Sequence, residues 1–263
     1  MKNIKILGII VIIAIIGFTM TACPGDDDES KDAVWLGETL NLSGQVYSMD
    51  MNYTLTPNNI TLASVEGFIL EEVPVGVGEY TNIVEVYIGG NGSVEAGQLS
   101  YTIDTPDSIY VKNLSDSIYG KNLSETSNVN GLVILRLSDK NNHLYLHKVE
   151  RTATGYILTD VLYVYVDNDF TYTQPERVDD YGRDTIIYNS FSIRLRKGWN
   201  AVYKTMSYNS SNETGTISIA NPSNLYWVYQ DHNYDDNYSI IPSEEAISIS
   251  LFNLPRSIFG KRN

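Results

Sequence analysis

The chain has 263 residues and a formal net charge of −14, with 32 acidic against 18 basic side chains. So acidic a surface repels phosphate backbones and anionic headgroups, which excludes nucleic acid as a partner and direct adsorption to anionic lipid. A single cysteine, Cys23, rules out an internal disulfide, and the roughly 240 residues beyond it suffice for one large hydrophobic core or two smaller ones.

Met1 to Lys5 is short and basic, Ile6 to Phe18 is almost wholly apolar, and Thr19-Met20-Thr21-Ala22-Cys23 follows. The apolar run, about 13 residues, falls short of the roughly 20 that a membrane-spanning helix needs. Its isoleucines cover every face of a helix, so a core helix here would have no polar side to turn to water. Basic, apolar and small-residue segments in this order mark an export leader. The segment ending at Cys23 resembles the lipobox of bacterial lipoproteins, with Met20 where leucine is usual. That resemblance implies that residues 1–22 are a signal peptide that is removed, and that Cys23 then carries acyl chains such as palmitate. Loss of Lys2 and Lys5 with the leader takes the net charge to about −16. Residues 23–34, with the run Asp26-Asp27-Asp28-Glu29, are too acidic and too poor in apolar groups to pack, and are expected to form a tether. The expected location is the cell envelope, lipid-anchored to a membrane, at the outer membrane or cell surface rather than the inner membrane.

Beyond the tether the pattern is that of strands. Leu99-Ser100-Tyr101-Thr102-Ile103, Phe191-Ser192-Ile193-Arg194-Leu195, Thr216-Ile217-Ser218-Ile219 and Ile247-Ser248-Ile249-Ser250-Leu251 alternate apolar and polar residues with period two. Val161 to Val166, Val-Leu-Tyr-Val-Tyr-Val, has no polar face and predicts a strand buried on both sides. Loop chemistry recurs at Gly89-Gly90-Asn91-Gly92, Asp139 to Asn142, Ala153-Thr154-Gly155 and Asn209 to Asn212. Arg196-Lys197-Gly198-Trp199-Asn200 lies between two strand patterns and reads as a hairpin connection. No sustained helical period with caps occurs. The predicted fold is all-β, an antiparallel β-sandwich.

Residues 107–115, Asp-Ser-Ile-Tyr-Val-Lys-Asn-Leu-Ser, are repeated at once as 116–124, with Gly120 in place of Val111. Two copies of nine are too few for a solenoid. A surface connection absorbs such an insertion more cheaply than a sheet does. Residues 106–130 are therefore expected to connect, with a helical turn or two, an N-terminal β unit (35–105) to a C-terminal one (131–252), followed by a tail (253–263).

Three sets of residues invite a chemical reading. His143 and His147 would share a helix face and grip zinc there. In the alternating context of Leu144 and Leu146 they instead fall on a strand, about 13 Å apart, which is too far for one ion. Asp231-His232-Asn233-Tyr234-Asp235-Asp236-Asn237 starts like a calcium loop but lacks the following glycine and the closing glutamate, and reads as a solvated polar loop. Tyr226-Trp227-Val228-Tyr229, running into Gln230 and Asp231, sets aromatic faces beside amides and carboxylates, which is the chemistry of a sugar-binding patch; core packing for Trp227 is the competing reading. Tyr226, Trp227 and Tyr229 are the candidate ligand-binding residues. Trp199 reads as a structural anchor. There is no G-x-S-x-G elbow and no dinucleotide fingerprint behind Gly76 and Gly78, and the carboxylate pairs Asp179-Asp180 and Glu244-Glu245 are common in so acidic a chain.

Gly92-Ser-Val-Glu-Ala-Gly-Gln-Leu-Ser-Tyr-Thr-Ile103 is similar to a hairpin of transthyretin- or immunoglobulin-type sandwiches, which implies one or two such units. Val164-Tyr-Val-Asp-Asn-Asp169 with Leu195-Arg-Lys-Gly-Trp-Asn200 resembles segments of lipoproteins of the spirochaete and Bacteroidetes type. The expectation is a lipid-anchored protein of non-catalytic binding or adhesion type, without enzyme activity, cofactor or metal. Its partners are a membrane, through the lipid, and a glycan or protein ligand. A carbohydrate-binding surface protein and a glycan-acting hydrolase are the alternatives.

Overall fold

The computed structural model describes residues 31–50, 54–74, 81–114, 129–134, 136–139, 142–153, 155–180, 185–209, 214–219 and 224–231. Cys23 and its leader, Gly76 and Gly78, the repeat copy 116–124, His232 with the rest of the acidic loop, Glu244-Glu245 and the alternation 247–251 lie outside them. Every described element is a strand. In chain order these are β1 (Lys31–Asp32), β2 (Val34–Gly37), β3 (Leu40–Met49), β4 (Leu55–Pro57), β5 (Glu66–Pro74), β6 (Thr81–Ile88), β7 (Asn91–Glu95), β8 (Gln98–Ile103), β9 (Lys112–Asn113) and β10 (Asn130–Ile134). They continue with β11 (Arg136–Ser138), β12 (Asn142–Thr152), β13 (Gly155–Val166), β14 (Phe170–Gln174), β15 (Arg177–Asp180), β16 (Thr185–Tyr188), β17 (Phe191–Leu195), β18 (Gly198–Asn209), β19 (Thr214–Ile219) and β20 (Tyr226–Asp231).

The spine is the antiparallel pair β13–β18, joined along its whole length. β12 flanks the first half of β13 and β10 the second half. Both faces of this layer are buried. Val161, Tyr163, Tyr165, Trp199 and Ala201 face one core with Leu40, Leu42, Leu99, Tyr101 and Ile103 of β3 and β8. Leu162, Val164, Val166 and Val202 face a second core with Phe170, Tyr172, Ile193 and Leu195. Those four belong to a separate sheet in the order β1–β17–β14. The uninterrupted apolar run at 161–166 thus has the two-sided burial that its lack of a polar face requires, and the alternations at 99–103 and 191–195 each turn one face to a core. The result is a layered, sandwich-like all-β fold. Most ladders are antiparallel, but β1–β17, β16–β19 and β20–β3 are parallel.

The segments 35–105 and 131–252 are laced together. β2 pairs with β18, β5 with β11 and β3 with β20, and the first core draws on both segments. Lys31-Asp32, at the end of the acidic stretch, joins β17 rather than hanging free. In the first repeat copy the Asp107 carboxylate accepts from the Ile109 amide at 3.1 Å, closing a turn. β9 then pairs with β10, and Leu114 is wholly buried in the second core. That copy therefore contributes a turn, a short strand and a core side chain.

The connection at 196–198 also departs from expectation. β17 and β18 are not paired; they lie in different layers, so Arg196-Lys197-Gly198 is a corner between sheets. Asn200 replaces the missing ladder bonds. Its amide nitrogen donates to the carbonyls of Arg196 (2.7 Å) and Gly198 (3.0 Å), and its oxygen accepts from the Arg196 amide (3.0 Å).

Candidate ligand-binding site

A cleft of about 600 Å³ opens where β3 passes from its partner β8 to its partner β20. Asn41 to Gln45 with Tyr47 form one wall, Leu225 to Trp227 the other, and Tyr163 and Tyr203 of the central layer the base. This volume lies within the few hundred to a thousand Å³ usual for ligand sites.

The lining follows from the strand pattern. On β20, Trp227 points into the first core and is 6% exposed. Its indole N–H donates to the Ser43 carbonyl at 3.3 Å. The ring can come so close only because residue 44 is glycine: a Cβ there would stand 3.1 Å from Cδ1 and 3.3 Å from Nε1 of Trp227. Trp227 stacks on Tyr163, with centroids 6.5 Å apart and 24° between planes. At the rim, half-buried Tyr226 meets Tyr47 edge-on at 5.2 Å and 82°. Gln45 is held in place by its amide, which donates to the carbonyls of Val46 (2.8 Å) and Asn58 (3.2 Å).

The base carries the electrostatic signature. Tyr163 is 5% exposed, and burial first, then the neighbouring Tyr203, raises its hydroxyl far above the ordinary phenol range. Tyr203 is likewise raised by burial. No described residue forms a hydrogen bond with the Tyr163 hydroxyl. Among the described residues lining the cleft there is neither an acidic nor a basic side chain.

Of the three residues singled out in the sequence, the cleft brings together Tyr226 and Trp227. Tyr229 does not line it, and packs against the first core two positions further along β20. The two readings of Trp227 are therefore compatible: it is a core residue that also walls the cleft. Trp199 is wholly buried and donates to the Asp104 carbonyl at 3.1 Å. His143 and His147 fall on strand β12, and Asp231 is the last described residue of its loop. Among the described residues no three His, Cys, Asp or Glu side chains gather to hold a metal ion. Tyr47, Tyr163 and Tyr203 were not singled out from sequence. Period two places each on a face but does not tell where two layers part.

A buried lysine lies elsewhere. Lys204 is 2% exposed, and burial brings its amine down to about 7 against the opposing pull of the Asp160 carboxylate. It sits opposite Asp160 in the β13–β18 ladder, away from the cleft lining.

Compared with protein families, curated proteins and solved structures, the chain has no match.

Proposed function

We propose that the chain is an exported lipoprotein, held to the bacterial cell envelope by acyl chains on Cys23, that acts by binding rather than catalysis, with the aromatic cleft as its ligand site. The observation that carries the binding role is the cleft itself. It joins five aromatic rings, Tyr47, Tyr163, Tyr203, Tyr226 and Trp227, to polar groups from β3. Among the described residues its lining has no carboxylate pair or histidine that would serve as general acid and base, which favours binding over hydrolysis. Lipid anchoring is supported by the basic, apolar and small-residue leader that ends at the only cysteine. One acyl chain holds a protein only marginally and two hold it firmly, so a diacylated Cys23 would keep so acidic a body at a membrane that its charge would otherwise avoid. The outer membrane or the cell surface is the proposed site.

Aromatic faces beside amide and hydroxyl groups also favour a carbohydrate as the ligand. Two measurements test this reading. Cells fed a palmitate analogue should label the wild-type chain and not Cys23→Ser, and the serine variant should leave the envelope fraction. In parallel, retention of the full-length protein on insoluble glycans should fall sharply with Tyr226→Ala, which strips the rim without opening the core. Unchanged labelling with Cys23→Ser would refute anchoring, and unchanged retention with Tyr226→Ala would refute the cleft.

A further inference from the structure

The geometry points to a neutral, hydroxyl-rich ring, a pyranose unit of a glycan, as the occupant of the cleft, seated with a hydroxyl or ring oxygen accepting from Tyr163. This rests on the cleft being the ligand site, and specifies what that site selects.

Three observations narrow the chemistry. Tyr163 is buried and lines the cleft of about 600 Å³, and no described residue partners its hydroxyl. Buried polar groups are nearly always paired, and an unpaired one costs about 1–3 kcal/mol of desolvation. A space of this size holds far more than the single water that would be needed to satisfy one hydroxyl. As a neutral phenol it can both donate and accept, and an oxygen-bearing ligand satisfies it through the O–H.

Charge then excludes the ionic acceptors. Among the described residues the lining holds no lysine or arginine, and the chain as a whole carries −14. A carboxylate or phosphate entering would lose its hydration without a counter-ion, which is strongly unfavourable. A metal cation finds no carboxylate among the described lining residues to coordinate it. A neutral, oxygen-rich ligand matches the uncharged polar groups of the lining. Tyr226, Tyr47 and Trp227 add apolar ring surface around the same space. A pyranose presents both requirements on one scaffold, an apolar C–H face for the rings and equatorial oxygens for the hydroxyl.

The test is affinity electrophoresis of the detergent-solubilised full-length protein through gels containing neutral polysaccharides (mixed-linkage glucan, xylan, mannan, dextran) or acidic polygalacturonate. Tyr163→Phe keeps the ring and its stacking and removes only the oxygen. Retardation by at least one neutral polysaccharide is expected, with no retardation by polygalacturonate. Tyr163→Phe should weaken the retardation about tenfold, the effect of one lost hydrogen bond, while its melting temperature holds or rises. Retardation equal to wild type in Tyr163→Phe, with loss in Tyr226→Ala, would overturn the role of the hydroxyl and leave the cleft reading intact. Preference for polygalacturonate, or binding to none of the neutral polymers, would overturn the ligand class.

Discussion

Gly44 and Trp227 stand 183 residues apart in near contact, the indole N–H on the Ser43 carbonyl and the ring edge in the space that a side chain on residue 44 would fill. The backbone of Gly44 has φ of +150°, a region that side-chain-bearing residues rarely adopt. Gly44→Ala therefore adds both strain and overpacking, and is expected to lower stability by about 1–3 kcal/mol. Denaturant titration measures the loss. A shifted tryptophan emission maximum in the folded variant would show that Trp227 has been pushed out of its seat. Unaltered emission together with unaltered stability would contradict the close packing.

The Lys204 amine supplies a pH prediction. Its folded value, about 7, lies below the ordinary lysine value of 10.5. Between those two values the unfolded chain binds a proton that the folded chain does not, so stability rises with pH across this window, by up to about 1.4 kcal/mol per unit. Below 7 both states are protonated and the full penalty of the buried charge remains. Above 10 the sign reverses. Tyr101, Tyr163 and Tyr203 are all raised by burial, and the unfolded state then loses protons that the folded state keeps. Denaturation midpoints measured from pH 6 to 11 should climb and then fall. Lys204→Met should be more stable than wild type at pH 7 and should lack the climbing limb, because an apolar side chain of similar length removes a desolvated charge.

What could be read locally in the chain and what could not divides along the same line as these two cases. The faces of 99–103, 161–166 and 191–195 are fixed by side-chain alternation within a few residues, and the layers bury them as the alternation demands. Pairing partners are set by contacts across the whole chain. Nothing near Phe191–Leu195 tells that it leaves β18 for a sheet with β1 and β14, and nothing near Tyr226 tells that β20 runs parallel to β3. The cleft is of this second kind. Tyr226 and Trp227 could be singled out because aromatic density is a local signal, whereas Ser43, Gly44, Tyr163 and Tyr203 become part of a site only once the layers part at that point.

The hairpin between β7 and β8 turns on Ala96 and Gly97, with φ of 46° and 79°. Both angles are positive, as a two-residue turn that matches strand twist requires, and asparagine is favoured over alanine at the first position. Ala96 is exposed, and its amide donates to the Thr61 hydroxyl at 3.4 Å, a bond that a change of side chain leaves in place. Ala96→Asn should raise stability by about 0.5–1 kcal/mol, seen as a higher melting temperature with the same unfolding slope in denaturant. Gly97 is the opposite case. A Cβ there would come within 2.0 Å of the Asn58 carbonyl oxygen, so Gly97→Ala should destabilise by more than Ala96→Asn gains.

Asn200 is wholly buried and holds the corner at 196–198 through both ends of its amide. Asn200→Ala leaves the Arg196 amide and the carbonyls of Arg196 and Gly198 without these bonds, and an expected loss of about 2–4 kcal/mol follows from several polar groups stranded at once. Asn200→Asp discriminates between lost bonds and lost volume. A carboxylate keeps the size and can still accept from the Arg196 amide, but it has no hydrogens for the two carbonyls and brings a buried charge against them. Burial should raise its folded pKa above the unfolded value near 4, so the ionisation penalty is absent below that value and grows as pH rises towards the folded pKa. At pH 7 Asn200→Asp should therefore be less stable than Asn200→Ala, and the gap should narrow or invert at pH 4, where the protonated acid donates one bond again. A gap that stays constant between the two pH values would mean that this side chain fills space at the corner and does not hold it by hydrogen bonding.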